Sequence, residues 1–319
     1  MRRVLITGGT GFVGSYLVRF LKSPDTKIIA VSSGEVQLQE PDVDYCQADI
    51  CNLDDVRLFV REANPNEIYH LAAVSAVSDS WTDPRRTFDV NVIGSYNVFE
   101  AAMSLSSPPR ILNVSTSQVY APSASALVET NPLDPGNPYA ATKAMAELLP
   151  VQYRKVTTGG IITARSFNHT GPGQDPRFVL PSFAKQLCEM EAGLIPPVLK
   201  VGNINVKRDF TDVRDVIVAY AALLEKGKIG EIYNVCSGRA VPLVDIVTEL
   251  QRSCSATVKI EVDHARLRSS DPPQVVGDPT KIWKATGWSP RVTLESTLND
   301  LLDYWRTKVK LRVREDSTS

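Results

Sequence analysis

The apolar run Val4-Leu5-Ile6-Thr7 opens into a glycine loop, Gly8-Gly9-Thr10-Gly11-Phe12-Val13-Gly14, that leads straight into an amphipathic stretch over 12–22. No other feature restricts the fold as much. Glycines let backbone N–H groups approach a pyrophosphate, and glycine at position 14 lets the following helix pack close to the strand. A strand before and a helix after predict a dinucleotide held by Gly8, Gly11, Phe12, Val13 and Gly14 rather than a bare tight turn.

The first half repeats this alternation. Strands are predicted over 4–7, 27–31, 43–47, 67–71, 110–115 and 160–165, with helices over 12–22, 53–63, 84–105 and 138–155. Right-handed crossovers make this an α/β protein with a Rossmann-type doubly wound parallel sheet. After about residue 166 proline and glycine become frequent, as in Gly171-Pro172-Gly173 and Pro196-Pro197, and the strands shorten. The expected division is a dinucleotide-binding domain at 1–165 and a smaller interleaved α/β region at 166–210 and 237–319. Residues 211–236 are expected to return to the first sheet as a helix over 212–224 and a strand over 231–236. Pro150 lacks a backbone donor and predicts a kink near Ala146. The charged tail from Lys308 is expected to fray.

A net charge of -1 in 319 residues gives no electrostatic reason to expect nucleic acid or an anionic membrane. No apolar run approaches the roughly 18 residues of a membrane span. The N-terminus lacks the pattern of a signal peptide, so a cytoplasmic protein is expected. Five cysteines without paired spacing read as free thiols, and three scattered histidines give no metal site.

NAD usually meets an acidic residue at the end of the second strand, which bonds its ribose 2′-hydroxyl. Here that strand ends in Ser32-Ser33-Gly34, with Glu35 just beyond. Small hydroxyls suit a 2′-phosphate, although no arginine stands beside them in sequence. NADP(H) is therefore favoured and NAD(H) stays possible. Asp49 and Ile50, after the third strand, are candidates for adenine contact. Tyr139 and Lys143 are i and i+4 and share a helix face, behind the N-cap pair Asn137-Pro138. An adjacent ammonium, with an oxidised nicotinamide, would favour phenolate and lower the tyrosine pKa from ~10. Thr116 ends the fifth strand, where its hydroxyl can orient a carbonyl beside the tyrosine.

Thr7-Gly8-Gly9-Thr10-Gly11-Phe12-Val13-Gly14, His70-Leu71-Ala72-Ala73, Asn91, Ser115-Thr116-Ser117, Tyr139 with Lys143, and Arg208-Asp209-Phe210-Thr211-Asp212-Val213 together resemble the extended short-chain dehydrogenase/reductases that act on nucleotide sugars. The resemblance runs from residue 3 to about 305. It implies catalysis by Thr116, Tyr139 and Lys143, and cofactor contacts at Leu71, Ala72, Ala73, Tyr139 and Lys143, the lysine at the nicotinamide ribose. It also implies a homodimer built on helices 84–105 and 138–155. The 4,6-dehydratases of this family carry an acid–base glutamate where this chain has Gln118. A neutral amide cannot accept that proton, so dehydration is disfavoured.

The segment Ala164-Arg165-Ser166-Phe167-Asn168-His169-Thr170-Gly171-Pro172-Gly173-Gln174 is similar to that of the GDP-6-deoxy-D-lyxo-4-hexulose reductases. So are Phe178-Val179, Phe183-Ala184-Lys185-Gln186 and Tyr233-Asn234-Val235-Cys236-Ser237-Gly238. That likeness implies a GDP-linked 4-keto-6-deoxy sugar as substrate, with 166–210 and 237–319 binding it. The implied contacts are Ser75, Thr116, Ser117, Gln118, Asn168, Phe178, Val179, Lys185, Arg208, Arg268 and Asp271. Departures are Ala121, where glycine is frequent, and Asp271, where glutamate is usual. A nucleotide-sugar 4-epimerase, a reductase giving the talo product, and a non-catalytic nucleotide-binding member are the alternatives.

Overall fold

The structure, a computed structural model, describes all residues except 36–39, 154–158, 256–257, 268–271 and 319, and side chains through residue 314. The first half contributes strands β1 (Arg2–Thr7), β2 (Thr26–Ser32), β3 (Val43–Gln47), β4 (Glu67–His70), β5 (Arg110–Thr116) and β6 (Gly160–Ser166). Helices α1 (Phe12–Leu21), α2 (Leu53–Ala63), α3 (Val77–Thr82), α4 (Pro84–Phe88), α5 (Ser95–Met103) and α6 (Pro138–Leu148) lie between them. The second half adds β7 (Asn168–Thr170), α7 (Val179–Glu191), β8 (Val198–Val201), β9 (Lys207–Arg208), β10 (Phe210–Asp212), α8 (Val213–Lys226) and β11 (Ile232–Val235). Helices α9 (Leu243–Arg252), α10 (Thr280–Thr286) and α11 (Leu294–Thr318) close the chain.

Seven parallel strands form the main sheet in the order β11-β6-β5-β4-β1-β2-β3. Both faces are covered, so the strands read as near-continuous apolar runs; Val4, Leu5 and Ile6 are fully buried. One face packs on α1, α8 and Trp288, the other on α2 and α5. A separate core joins α7, α9 and α11. The order reverses between β1 and β4, and ligand crevices of open α/β sheets form outside the strand ends at such a switch point.

Each expected strand of the sheet lies within two residues of its observed bounds, and three helical regions differ. The helix expected over 84–105 is broken by a π-helical segment, Asp89–Gly94, between α4 and α5. Pro150 does not kink the helix at Ala146. Instead α6 ends at Leu148, and the chain tightens into a 3-10 segment, Leu149–Tyr153. That is where a missing donor is tolerated, because no regular helical bond is demanded of it. The tail does not fray at Lys308, since α11 runs on to Thr318.

Candidate active site

A cavity of about 570 Å³ runs across the C-terminal ends of β1, β2, β4, β5 and β6. Its floor is the glycine loop. A Cβ at Gly14 would collide with the Gly8 carbonyl and the Gly9 backbone, and Gly8 has φ +70 with Ala72 N 2.9 Å from where its Cβ would sit. Both glycines therefore hold α1 and the Leu71–Ala72 turn tight against the loop, and they leave a cradle of backbone for a pyrophosphate. Phe12, Val13, Leu71, Ala72 and Ala73 line the same space.

At the end of β2, Ser32 accepts a hydrogen bond from the Thr10 hydroxyl at 2.8 Å. Ser33 lines the cavity, whereas Glu35 is exposed and does not. Asp49 and Ile50 also line it, and the Cys51 N–H donates to Asp49 Oδ1 at 3.0 Å. The guanidinium absent from the local sequence arrives from α4, because Arg86 enters the cavity wall with Nη1 3.6 Å from Asp49 Oδ2. The Cys51 N–H and then Arg86 hold the Asp49 carboxyl below its usual range. Residues Gly8, Gly14, Ser32, Ser33 and Arg86 thus fit a nicotinamide dinucleotide.

Helix α6 begins where the Asn137 side chain accepts from Ala140 N at 2.9 Å and Pro138 takes the first turn. Its inward face presents Tyr139 and Lys143 to the cavity beside Thr116. Burial raises the phenol of Tyr139 above 10, and a hydrogen bond with Thr116 pulls it partly back. Here burial outweighs the hydrogen bond; the lowering expected from Lys143 together with an oxidised nicotinamide concerns the cofactor-bound enzyme. Burial also pushes the Lys143 ammonium down to about 8, against the pull of Glu147.

A polar chain runs beneath the cavity. Ser95 Oγ donates to the Asn91 carbonyl at 2.7 Å, so it accepts from His70 Nε2 at 2.9 Å. Nδ1 of this neutral imidazole then accepts from Thr7 Oγ1 at 2.8 Å. Burial pushes His70 down to about 3, which agrees with the neutral tautomer. Asn91, in the π-helical segment, bonds Val74 N and O and the Thr142 hydroxyl, and Thr142 donates to the Tyr139 carbonyl. The wall of the cofactor cradle and the catalytic helix are thereby tied together.

The second half supplies the opposite wall: Asn168, His169, Thr170, Gln174, Asp175, Arg177, Phe178 and Val179. Gln174 Oε1 and Thr170 Oγ1, on residues that line this wall, are buried without a hydrogen-bond partner. Ser75, Ser117 and Gln118 also line it, with Gln118 Oε1 accepting from Asn137 at 3.1 Å. Two expected contacts lie elsewhere. Lys185 faces Glu189 at 3.8 Å and Trp305, and Arg208 donates to the Lys207 and Pro272 carbonyls. Arg268 and Asp271 lie outside the described residues. Arg86, Asp175 and Arg177 are additions that no local pattern announced.

Set beside known proteins, the chain matches a family profile described as GDP-mannose 4,6 dehydratase over residues 5–301. The chain belongs to this family. It is 33% identical to GDP-6-deoxy-D-mannose reductase of Pseudomonas aeruginosa, over 97% of this chain and 99% of that one. The solved structure of RMD from Pseudomonas aeruginosa complexed with NADPH superposes with a TM-score of 0.85 at 32% identity, covering 97% of this chain and 100% of that one. A UDP-glucose 4-epimerase of Thermotoga maritima, solved with UDP-glucose, gives a TM-score of 0.86 at 25% identity over 96% of this chain and 99% of that one.

Proposed function

We propose that this family member is an NADPH-dependent reductase. It converts the C4 ketone of GDP-4-keto-6-deoxy-D-mannose to GDP-6-deoxy-D-mannose (GDP-D-rhamnose), with NADP(H) preferred over NAD(H). NADPH, when bound, supplies the hydride that adds to C4. Tyr139 donates its phenolic proton to the oxygen at which negative charge develops, and the Thr116 hydroxyl orients that oxygen. Lys143 holds the nicotinamide ribose and offsets phenolate charge once the proton has left. Residues 166–210 and 237–319 are read as the nucleotide-sugar region, with Asn168 at the diphosphate or sugar and Phe178 and Val179 near the guanine. Arg86, lining the same cavity as Ser32 and Ser33, supports NADPH.

The observation that carries the choice of reaction is the carboxylate inventory of the cavity. Elimination of water needs a free acid–base carboxylate near the sugar. Among the described residues the lining carboxylates are Asp49, beside Arg86, and Asp175, beside Arg177 at 3.1 Å, while Gln118 is a neutral amide. One proton donor without a second acid–base group suits ketone reduction rather than dehydration.

The exposed apolar side chains Trp81, Phe88, Ile93, Tyr96, Met145, Leu148 and Val151 lie on the helical segments from α3 to α5 and on α6 with its 3-10 extension, and they support a homodimer through those helices. The test of function is loss of reduced-nicotinamide absorbance with the GDP-keto sugar, with GDP-mannose and dTDP-4-keto-6-deoxy-glucose as controls. Consumption with the GDP-keto sugar alone is expected, and NMR of the product then separates the rhamno from the talo epimer. No consumption, with tightly held NAD in the purified protein, would replace the reductase by a 4-epimerase.

A further inference from the structure

Behind Lys143 lies an ionic cluster for which the reaction scheme has given no use. Glu147 is one turn beyond Lys143 on the same face of α6, and its side chain is 3% exposed, with that of Arg165 at 4%. Two strands converge on this carboxylate. Ser115 Oγ, from the end of β5, donates to Oε1 at 2.5 Å. Arg165, from β6, donates Nε at 3.0 and 3.1 Å and Nη2 at 2.6 Å. The remaining Arg165 nitrogen, Nη1, bonds the Glu129 carbonyl at 3.1 Å, and the guanidinium lies 4.6 Å from the centre of the Tyr120 ring. The cluster therefore reaches the connection between β5 and α6 as well.

Ser115 immediately precedes Thr116, and Glu147 is fixed two turns along from Tyr139. A fork-shaped, charge-assisted pair of this kind has little angular freedom. Slack in it would appear first as misalignment between Thr116 and Tyr139, where a displacement of about 1 Å can cost 10²-fold in rate. Building on the reductase reading, we propose that Glu147 is a positioning residue, which locks α6 against β5 and β6 and provides the counter-charge behind the Lys143 ammonium.

The ionisable groups facing Lys143 narrow the electrostatic source. Tyr139 on α6 is held protonated by burial, as is Tyr220 on α8, which faces Tyr139. His70 on β4 is neutral, and it is itself disfavoured as a cation by Lys143. Arg165 on β6 is spent on Glu147, and the π-helical segment and α5 bring only the neutral Asn91 and Ser95. The charge that favours the ammonium is Glu147.

Equilibrium binding of NADPH, followed by nicotinamide fluorescence from pH 6 to 10, tests this without reference to any sugar. The variants are Glu147→Gln, Glu147→Asp and a Lys143→Met control. Wild-type affinity is expected to weaken around pH ~8, and Glu147→Gln to move that midpoint down, because the opposite charge one helical turn along α6 is lost. Glu147→Asp, which keeps the charge but shortens the reach, should hold the midpoint while turnover drops about tenfold or more. Lys143→Met should abolish the midpoint. A folded Glu147→Gln protein with wild-type midpoint overturns the proposal. Should that variant not fold, Glu147→Gln/Arg165→Gln leaves no unpaired buried charge. It must then shift the midpoint in the same direction, and an unchanged midpoint is again fatal. A midpoint shift in a protein inert towards the GDP-keto sugar would reject the substrate assignment and leave this inference standing.

Discussion

Replacing Lys143 by methionine should make the cofactor-free protein more stable while abolishing its activity. Lys143 is 3% exposed and its ammonium ionises near about 8, below the ordinary 10.5. At neutral pH the folded protein keeps that charge at a cost of about 3 kcal/mol, from 1.36 kcal/mol for each pKa unit of that gap. Methionine keeps a similar flexible apolar stem, and Glu147 stays paired with Arg165 and Ser115, so the substitution leaves no orphaned charge. The sign follows from linkage. Between about 8 and 10.5 the unfolded lysine binds more proton than the folded one, so wild-type stability rises with pH through that window. The advantage of Lys143→Met should be full below pH ~8 and gone by ~10.5. With an unfolding entropy of about 2.1 cal/mol/K per residue, about 3 kcal/mol corresponds to a rise in Tm of about 4 °C. Calorimetry at pH 7, 9 and 10.5 is the assay. A variant that melts below wild type at pH 7, or whose advantage does not shrink with pH, would refute the buried-charge reasoning.

Tyr139→Phe should lower turnover by about 10² to 10⁴, the factor of a lost general acid, with NADPH affinity nearly unchanged by fluorescence titration. Arg86→Ala should weaken NADPH by about tenfold and NADH much less, since a guanidinium–phosphate contact is worth about 1.5 kcal/mol or more; equal losses for both cofactors would move Arg86 from the 2′-phosphate to the adenine. Leu148 is 69% exposed and Trp81 64%. Leu148→Glu should halve the mass found by light scattering without lowering the helical CD signal, whereas a monomeric wild type would exclude the dimer.

The sheet was legible because its information is local. Val4 to Ile6 are apolar in a row because both sheet faces are covered, and Gly14 is required where a Cβ would strike the Gly8 carbonyl. Tyr139 and Lys143 were legible for the same reason, since helical spacing alone puts them on one face. Arg86 was not. It reaches Asp49 from α4, which packs on α3 and α6, a relation that spacing along the chain does not encode. Arg177 likewise meets Asp79 across 98 residues at 2.6 Å. Lys185 shows the converse: a cation chosen for its neighbourhood in sequence turned to its own helix, where Glu189 is one turn away. The π-helical segment was hidden because nothing in Asp89-Val90-Asn91-Val92-Ile93-Gly94 marks an i→i+5 bond, and Asn91 there is held by long-range bonds to Val74 and Thr142.

Burial moves the two ionisable groups at the centre in opposite directions. Ketone reduction must begin with the proton on the acid, because the alkoxide forms only as hydride arrives. Burial supplies that condition, since it holds Tyr139 protonated above 10 at every working pH. The same burial works against the cation that must stabilise the phenolate afterwards, and Lys143 stays charged at neutral pH only narrowly. A site that simply excluded water would keep the acid and lose the ammonium. On the proposal above, the carboxylate of Glu147, itself held by Arg165, lets one buried site contain both. Tyr139 thus keeps its proton until negative charge develops on the substrate oxygen.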